Sequence, residues 1–156
     1  MLKKRKNVQI LKNSILGIAI AILLFGCAAK GPKFQSFEKP KKGKSLIYIY
    51  RNNSIMGAGV TPNIHKIDLE SKEDQVIGSV KKSGYIKTEI DNDIKYEIWA
   101  QTEAKNEVNI DSNNSTVYCI EHYITPGFFV GHPQFKKIPL DKCEVEIKKT
   151  KLSIDS

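Results

Sequence analysis

Apolar and polar residues alternate along most of the chain after residue 45. In "GYIKTEI" (84–90) and "IKYEIWAQ" (94–101), every second side chain is apolar or β-branched, and the side chains between them are mostly polar. A period of two is typical of a strand with one buried face and one solvated face. Residues 91–93, Asp-Asn-Asp, separate the two segments and favour a turn. The pattern therefore predicts a β-hairpin over residues 84–101.

The same alternation recurs in short segments across residues 45–156. The first, "SLIYIYR", is β-branched and aromatic and is typical of a buried strand. The others are "NIHKIDL", "QVIGSV", "NEVNID", "TVYCIEHYI", "GFFVG", "FKKIPL" and "CEVEIKK". Turn signals separate these segments, and none of them shows helical spacing. We therefore predict an all-β domain over residues 45–156, an antiparallel β-sandwich.

Residues 1–26 have the pattern of a secretory signal peptide. The basic stretch "KKRK" precedes the apolar stretch "ILGIAIAILLFG", an order that signal peptides share. The apolar run is about a dozen residues long, whereas a membrane-spanning helix needs about 20. A signal peptide is therefore the prediction, and a permanent transmembrane helix is the alternative.

The end of this stretch, Leu24-Phe25-Gly26-Cys27, resembles the lipobox of bacterial lipoproteins. The resemblance implies that the signal peptidase recognises the three residues before the cysteine, although Phe25 replaces the commoner small residue. It also implies that the Cys27 thiol receives diacylglycerol, that the chain is cut before Cys27, and that the new amino group is acylated, with palmitate as an expected chain. Two or more acyl chains make a stable membrane anchor. Cys27 is thus predicted to be an anchor and not a catalyst.

The residue after the cysteine bears on localisation. Ala28 is not the Asp that, in many Gram-negative lipoproteins, holds the protein at the inner membrane. The resemblance therefore implies a lipid anchor in the outer membrane, with the domain facing the periplasm rather than the cell surface. In a Gram-positive source the same anchor would lie in the plasma membrane.

Residues 27–44 are rich in Lys, Pro and Gly and lack periodicity, so we predict a flexible tether there. Its lysines either rest on anionic head groups or the acidic cell wall, or belong to a solvated, self-repelling linker. The net charge of +8 is concentrated in this part of the chain: residues 1–26 and 27–44 carry +5 each, and residues 45–156 carry −2. Nucleic-acid binding needs a basic surface on the folded domain, so nucleic acid is not an expected partner.

Several longer stretches resemble the small bacterial lipoproteins of the domain-of-unknown-function family numbered 2846. They are "LIYIYR", "VIGSVKKSGYIKTEID", "YEIWAQTEAKNEVNID", "TVYCIEHY" and "GFFVGHPQFKKI". The resemblance implies a lipid-anchored β-sandwich of prealbumin-like, PEGA-like or Ig-like type. It implies no catalytic residues and no cofactor.

No group of residues marks a metal site or a catalytic centre. His65, His122 and His132 lack a second ligand at metal-site spacing. The acidic residues of segment 68–74 lack the glycine of a calcium loop, and the chain has no nucleophile elbow. The sequence therefore predicts neither a metal nor an enzyme.

Cys119 and Cys143 are candidates for a disulfide, because an exported domain folds in an oxidising compartment. The alternative is a pair of buried thiols on neighbouring core faces. A bridge of this span would stabilise the domain by about 3 kcal/mol in the chain-entropy account.

Asn113 is a candidate glycosylation site. It lies in Asp111-Ser112-Asn113-Asn114-Ser115, which resembles the acid-extended acceptor sequence of some bacterial systems. The alternative is ordinary turn chemistry, because the same residue types favour turns.

Two functions from different classes are compatible with these patterns. The first is a non-enzymatic envelope module that binds an envelope protein or glycan through exposed strands or the loop "ITPGFFVGHPQF". In that loop, Phe128, Phe129 and Phe135 either form an exposed apolar patch or belong to the core. The second is an envelope hydrolase or transferase acting on wall or glycan substrates, which would need two acidic side chains converging in a cleft. We favour the first.

Overall fold

Nine strands and one short helix make up the fold of residues 28–154, the part of the chain that this computed structural model describes. About half of these residues lie in strands. The elements are β1 (Lys44–Arg51), β2 (Asn63–Asp68), β3 (Asp74–Ser79), β4 (Gly84–Asp91), β5 (Lys95–Gln101), β6 (Lys105–Asp111), β7 (Val117–Thr125), β8 (His132–Lys137), α1 (Leu140–Ile147) and β9 (Lys151–Leu152). The predicted all-β class is confirmed at this level.

The strands form two sheets. One has five strands in the order β8-β7-β1-β4-β9, and the other has four in the order β3-β2-β5-β6. Most neighbouring strands are antiparallel, as predicted, but β1 pairs with β7 in parallel and β4 pairs with β9 in parallel. The five-stranded sheet is therefore mixed.

The predicted hairpin over residues 84–101 is wrong. β4 pairs with β1 and β9 in one sheet, whereas β5 pairs with β2 and β6 in the other. The turn between them connects one sheet to the other. Asp93 in this turn has a positive φ of 62°. The Asp91 N–H donates to the Tyr96 hydroxyl. The same period-two pattern suits both arrangements, because each strand still needs one apolar face.

The core between the sheets is built from the alternating apolar positions. Its buried members are Ile47, Ile49, Ile64, Val80, Ile86, Ile90, Tyr96, Ile98, Ala100, Ile110 and Ile120. Residues of β4 and β5 that alternate with these face away from the core and are partly or fully exposed. Hydrophobic burial on this face holds the two sheets together.

β1 is buried on both faces, because a third layer covers the outer side of the five-stranded sheet. Helix α1 and the segment before β1 form this layer. A second cluster of buried side chains fills the space beneath it: Phe34, Leu46, Tyr48, Tyr50, Cys119, Ile138, Cys143 and Ile147. Burial on both faces explains why "SLIYIYR" is almost continuously apolar.

The predicted strand over residues 143–149 is wrong, because this segment lies largely in α1. Cys143 and Ile147, four residues apart, share the buried side of the helix, and Val145 is exposed. Pro139 precedes the helix at its N-cap position, where proline is tolerated because a first-turn N–H needs no partner. The alternation of residues 143, 145 and 147 contains this four-residue spacing and therefore fits either structure.

Residues 28–38 lie along the domain, which differs from the flexible tether expected over residues 27–44. Backbone hydrogen bonds join the N–H groups of Ala29, Gly31 and Phe34 to carbonyl groups near β4 and β9. The Phe34 ring is 4% exposed and makes edge-on contacts with the rings of Phe37, Tyr48 and Tyr85, at centroid distances of 5.1–5.8 Å. The Lys, Pro and Gly content of the segment predicted a tether and gave no indication of this aromatic contact.

Candidate functional site

Two loops leave the five-stranded sheet at the same end. They are residues 52–62, between β1 and β2, and residues 126–131, between β7 and β8. Because β1 and β7 run in parallel, both loops emerge on one side, which we call the loop end. Gly57 and Gly131 approach Ile124 so closely that neither has room for a Cβ, and both have a positive φ. Both loops therefore contact the side chain of Ile124.

The loop end presents a group of apolar side chains to solvent. Ile55, Phe128 and Phe129 are 88%, 87% and 85% exposed, and Met56 and Val130 are also exposed. The two phenylalanine rings are 4.6 Å apart in an edge-on arrangement. We call these five residues the apolar tip. Exposed apolar groups on folded domains are typical of interaction sites, so the apolar tip is a candidate binding surface.

Glu103 fixes the loop that carries the phenylalanines. It lies in the turn between β5 and β6, and its carboxylate accepts hydrogen bonds from the backbone N–H groups of Phe128, Phe129 and Val130. The Nε2 atom of His132 lies 3.3 Å from the same carboxylate. The N–H groups of Val130, Phe128 and Phe129, together with His132, lower the pKa of Glu103 from 4.5 to about 2. Because β5 and β6 belong to the other sheet, Glu103 ties the two sheets together at this end.

Arg51 fixes the other loop. Its side chain is 1% exposed, and its guanidinium donates to the carbonyl oxygens of Val60 at 2.7 Å, Gly57 at 2.5 Å and Met56 at 3.4 Å. Burial lowers the pKa of Arg51. One buried cation therefore binds the carbonyl groups of one loop, and one carboxylate binds the amide groups of the other. The apolar tip is held in place by the backbone beneath it.

We expect Glu103→Gln to loosen residues 126–131. Glutamine keeps the shape of the side chain but removes its charge and one accepting oxygen, so the amides of Phe128, Phe129 and Val130 should exchange hydrogen about tenfold faster. Because the folded-state pKa lies below the ordinary value, the carboxylate stabilises the loop fully above about pH 4.5 and loses this effect as the pH falls through about 2. The difference between wild type and variant should therefore shrink over that range.

Hydrogen exchange read by mass spectrometry from pH 2 to pH 6 measures this effect. Glu107→Gln is the matched control, because Glu107 lies in the neighbouring strand and pairs with Lys105 away from the loop. Equal exchange of residues 126–131 in wild type and Glu103→Gln would contradict the assigned role.

The structure separates the three phenylalanines of the predicted patch. Phe128 and Phe129 are exposed, as the binding-module hypothesis required, whereas Phe135 packs against the core. The predicted strand "GFFVG" is wrong, because these residues form the loop. Phe135 stacks on His122 at 5.0 Å, and burial lowers the pKa of His122 to about 4, so this histidine is a neutral core residue at physiological pH.

The three histidines of the sequence analysis contact different residues, and His65 Nδ1 lies 3.2 Å from Asp74, one of the acids of segment 68–74. His65 stacks on Trp99, while His132 contacts Glu103. Asp68 accepts hydrogen bonds from the backbone N–H groups of Glu70 and Ser71, which is ordinary turn chemistry. Among residues 28–154, no three His, Cys, Asp or Glu side chains are placed to hold a metal ion.

Two carboxylates do meet on the outer side of the five-stranded sheet, which the sequence analysis missed. The Asn52 amide donates to Glu121 at 3.0 Å and to Glu146 at 3.3 Å, and the buried Tyr50 hydroxyl donates to Glu146 at 2.5 Å. The hydrogen bond from Tyr50 lowers the pKa of Glu146. This hydrogen bond ties α1 to β1.

Cys119 of β7 and Cys143 of α1 form a disulfide, with their Cα atoms 6.4 Å apart. The bond links the helix layer to the middle of the five-stranded sheet. The lipobox residues Leu24, Phe25, Gly26 and Cys27 lie outside the described residues. Among the helices of residues 28–154, none is long and apolar enough to cross a membrane.

Asn113 is exposed in the turn between β6 and β7, at the end of the domain opposite the loop end. The Tyr118 hydroxyl holds this turn: it donates to the Asp111 carbonyl at 2.7 Å and accepts from the Asn113 N–H at 3.2 Å. Turn chemistry accounts for these residues, and glycosylation of Asn113 stays a prediction.

No protein-family model matches this chain. The chain is similar to a Haemophilus influenzae protein described as uncharacterized, with 25% identity over 148 residues. The match covers 88% of this chain and 82% of the relative.

Proposed function

We propose that this protein is a lipid-anchored lipoprotein of the cell envelope whose β-sandwich is a non-enzymatic binding or structural module. The way the chain enters the domain carries the proposal. Ala28, the residue after Cys27, pairs with Lys82, and the Ala29 N–H donates to the Lys82 carbonyl at 3.1 Å. Contacts with the domain are thus already present at the residue directly after the cysteine at which the lipobox resemblance places cleavage and acylation.

The disulfide supports export to the envelope. Bonds such as that between Cys119 and Cys143 persist in oxidising compartments and are rare in the cytosol. The absence of Asp after Cys27 supports the outer membrane, with the domain facing the periplasm. We propose that the two-sheet domain is a sandwich of the prealbumin-like, PEGA-like or Ig-like type that the resemblance to the family numbered 2846 implies. An envelope protein or glycan as partner stays a prediction.

The intact mass of the protein tests the anchor. We would isolate it from the membrane fraction in detergent, alkylate it without reduction and record its mass. We expect residues 27–156 plus acyl chains, with Cys119 and Cys143 unalkylated. Cys27→Ser is the control, and it should accumulate as the full chain because it offers no thiol for the lipid. A wild-type mass of the full chain with three alkylated cysteines would overturn the proposal.

A further inference from the structure

We infer that the apolar tip, Ile55, Met56, Phe128, Phe129 and Val130, inserts into the interfacial region of the bilayer that holds the lipid anchor. This inference rests on the proposed function, because it takes Cys27 as the point of lipid attachment. The ligand is the lipid surface itself. The domain would then sit on the membrane in one fixed orientation rather than hang from it.

The path of the chain places the anchor and the apolar tip at the same end of the domain. Arg51, the last residue of β1, is opposite Gly84, the first residue of β4. Lys82, which pairs with Ala28, lies two residues before Gly84. Ala28 therefore lies at the end where β1 finishes and the loop of residues 52–62 begins, which is the loop end.

The distances involved are short. Cys27 directly precedes Ala28, and the Cα atoms of neighbouring residues are about 3.8 Å apart. β7, which leads into residues 126–131, is two strands away from β4 in the sheet, a separation of about 10 Å. The acyl chains would therefore bring the bilayer within reach of the phenylalanines, whereas the opposite end of the domain is turned away from it.

The charges around the loop end match an anionic lipid surface. Lys30 follows the anchored residue, the 81–82 lysine pair precedes β4, and the lysines at 149 and 151 lie beside β9. The ion pairs of residues 28–154 use other lysines. Three acids of this part of the chain lie near the loop end: Glu103 accepts hydrogen bonds from backbone amides, and Glu121 and Glu146 accept hydrogen bonds from the Asn52 amide. Basic side chains around an apolar tip are typical of surfaces that dock on anionic membranes.

The rigidity of the tip favours insertion. Arg51 and Glu103 hold both loops from below, so the loops lose little conformational freedom when they enter the bilayer. Their exposed side chains include two large aromatic rings, the residue type that interfacial regions accommodate well. A protein partner or a second copy of the chain is the competing occupant, and the test separates the two.

Quenching of a tryptophan at the tip by brominated lipid tests the inference. The full mature lipoprotein would carry Phe129→Trp, in a Trp99→Phe background, in vesicles of phosphatidylethanolamine and phosphatidylglycerol. We expect bromine on the upper acyl chain to quench about half of the fluorescence, since interfacial residues lie about 5–10 Å deep. Asn113→Trp is the matched control, because Asn113 is exposed at the end of the domain opposite the loop end, and it should be quenched little. If Trp99→Phe does not fold, the wild-type background is used and the Trp99 signal is subtracted.

The outcomes separate failure of the inference from failure of the proposed function. An acylated protein whose Phe129→Trp reporter is quenched no more than the Asn113→Trp control would overturn the inference and leave the lipid anchor standing. A reporter shielded from aqueous acrylamide but untouched by bromine would overturn it in favour of a protein partner or a second copy. A protein without acyl mass would overturn both.

Discussion

Phe34→Ala should lower the free energy of unfolding by about 3–4 kcal/mol, the range of large-to-small changes in a packed core. The Phe34 ring is almost fully buried and contacts three other aromatic rings edge-on. Its loss leaves a cavity beneath a segment that contributes few other buried side chains to the domain. The change should therefore also free the start of the domain from the five-stranded sheet.

Urea unfolding of the detergent-solubilised protein measures this loss, and Phe128→Ala provides the control. Phe128 is the same residue type but is exposed on the apolar tip, so its replacement should change stability by less than about 0.5 kcal/mol. A loss below about 1 kcal/mol for Phe34→Ala would mean that residues 28–38 are held mainly by their backbone hydrogen bonds. The segment would then behave more like the tether that its composition predicts.

Phe34 also illustrates how far the sequence predicts this fold. The alternation of apolar residues identified most of the strands, because burial on one face of a strand imposes a period of two. The same period does not say which strand pairs with which, so β4 and β5 were expected to form a hairpin and instead lie in different sheets. Pairing is decided by packing between distant segments, which a local pattern does not record.

The sequence pattern did not predict the third layer, formed by α1 and residues 28–38, for a related reason. Residues 143–147 alternate like a strand but fold as a helix, because Cys143 and Ile147 both face the sheet and only four residues separate them. Residues 28–38 have the composition of a linker, but the ring contacts of Phe34 with Tyr48 and Tyr85 and backbone hydrogen bonds hold them to the sheet. In both cases contacts with residues distant in sequence, which a local pattern does not record, hold the segment in place.

The sequence indicated the exposed phenylalanines of the candidate site but not the residues that hold them in place. The run "PGFFVG" holds adjacent aromatic residues that break the alternation between two glycines, and this irregularity is the signal that a loop and not a strand presents them. Arg51 and Glu103 gave no signal, because an isolated charged residue at the end of a strand or in a turn is ordinary. Their roles depend on backbone groups of loops that are distant in sequence.

Reduction of the Cys119–Cys143 disulfide should lower the free energy of unfolding by about 3 kcal/mol, because the bond closes a loop of 24 residues. The effect has a structural cause as well. α1 has only eight residues, too few to be stable alone, and it is held to the sheet by Cys143, Ile147 and the hydrogen bond between Tyr50 and Glu146. Without the bond, the helix layer should open before the two sheets separate.

Urea unfolding with and without a phosphine reductant measures the effect, and alkylation followed by mass measurement confirms that reduction is complete. The double variant Cys119→Ala/Cys143→Ala is the matched control: it should unfold at a lower urea concentration than wild type and should no longer respond to the reductant. Hydrogen exchange should show faster exchange in residues 140–147 than in β4 and β5. A fully reduced wild-type protein with an unchanged midpoint would contradict the prediction, and it would mean that the apolar contacts of Ile147 and the Tyr50–Glu146 hydrogen bond hold the helix by themselves.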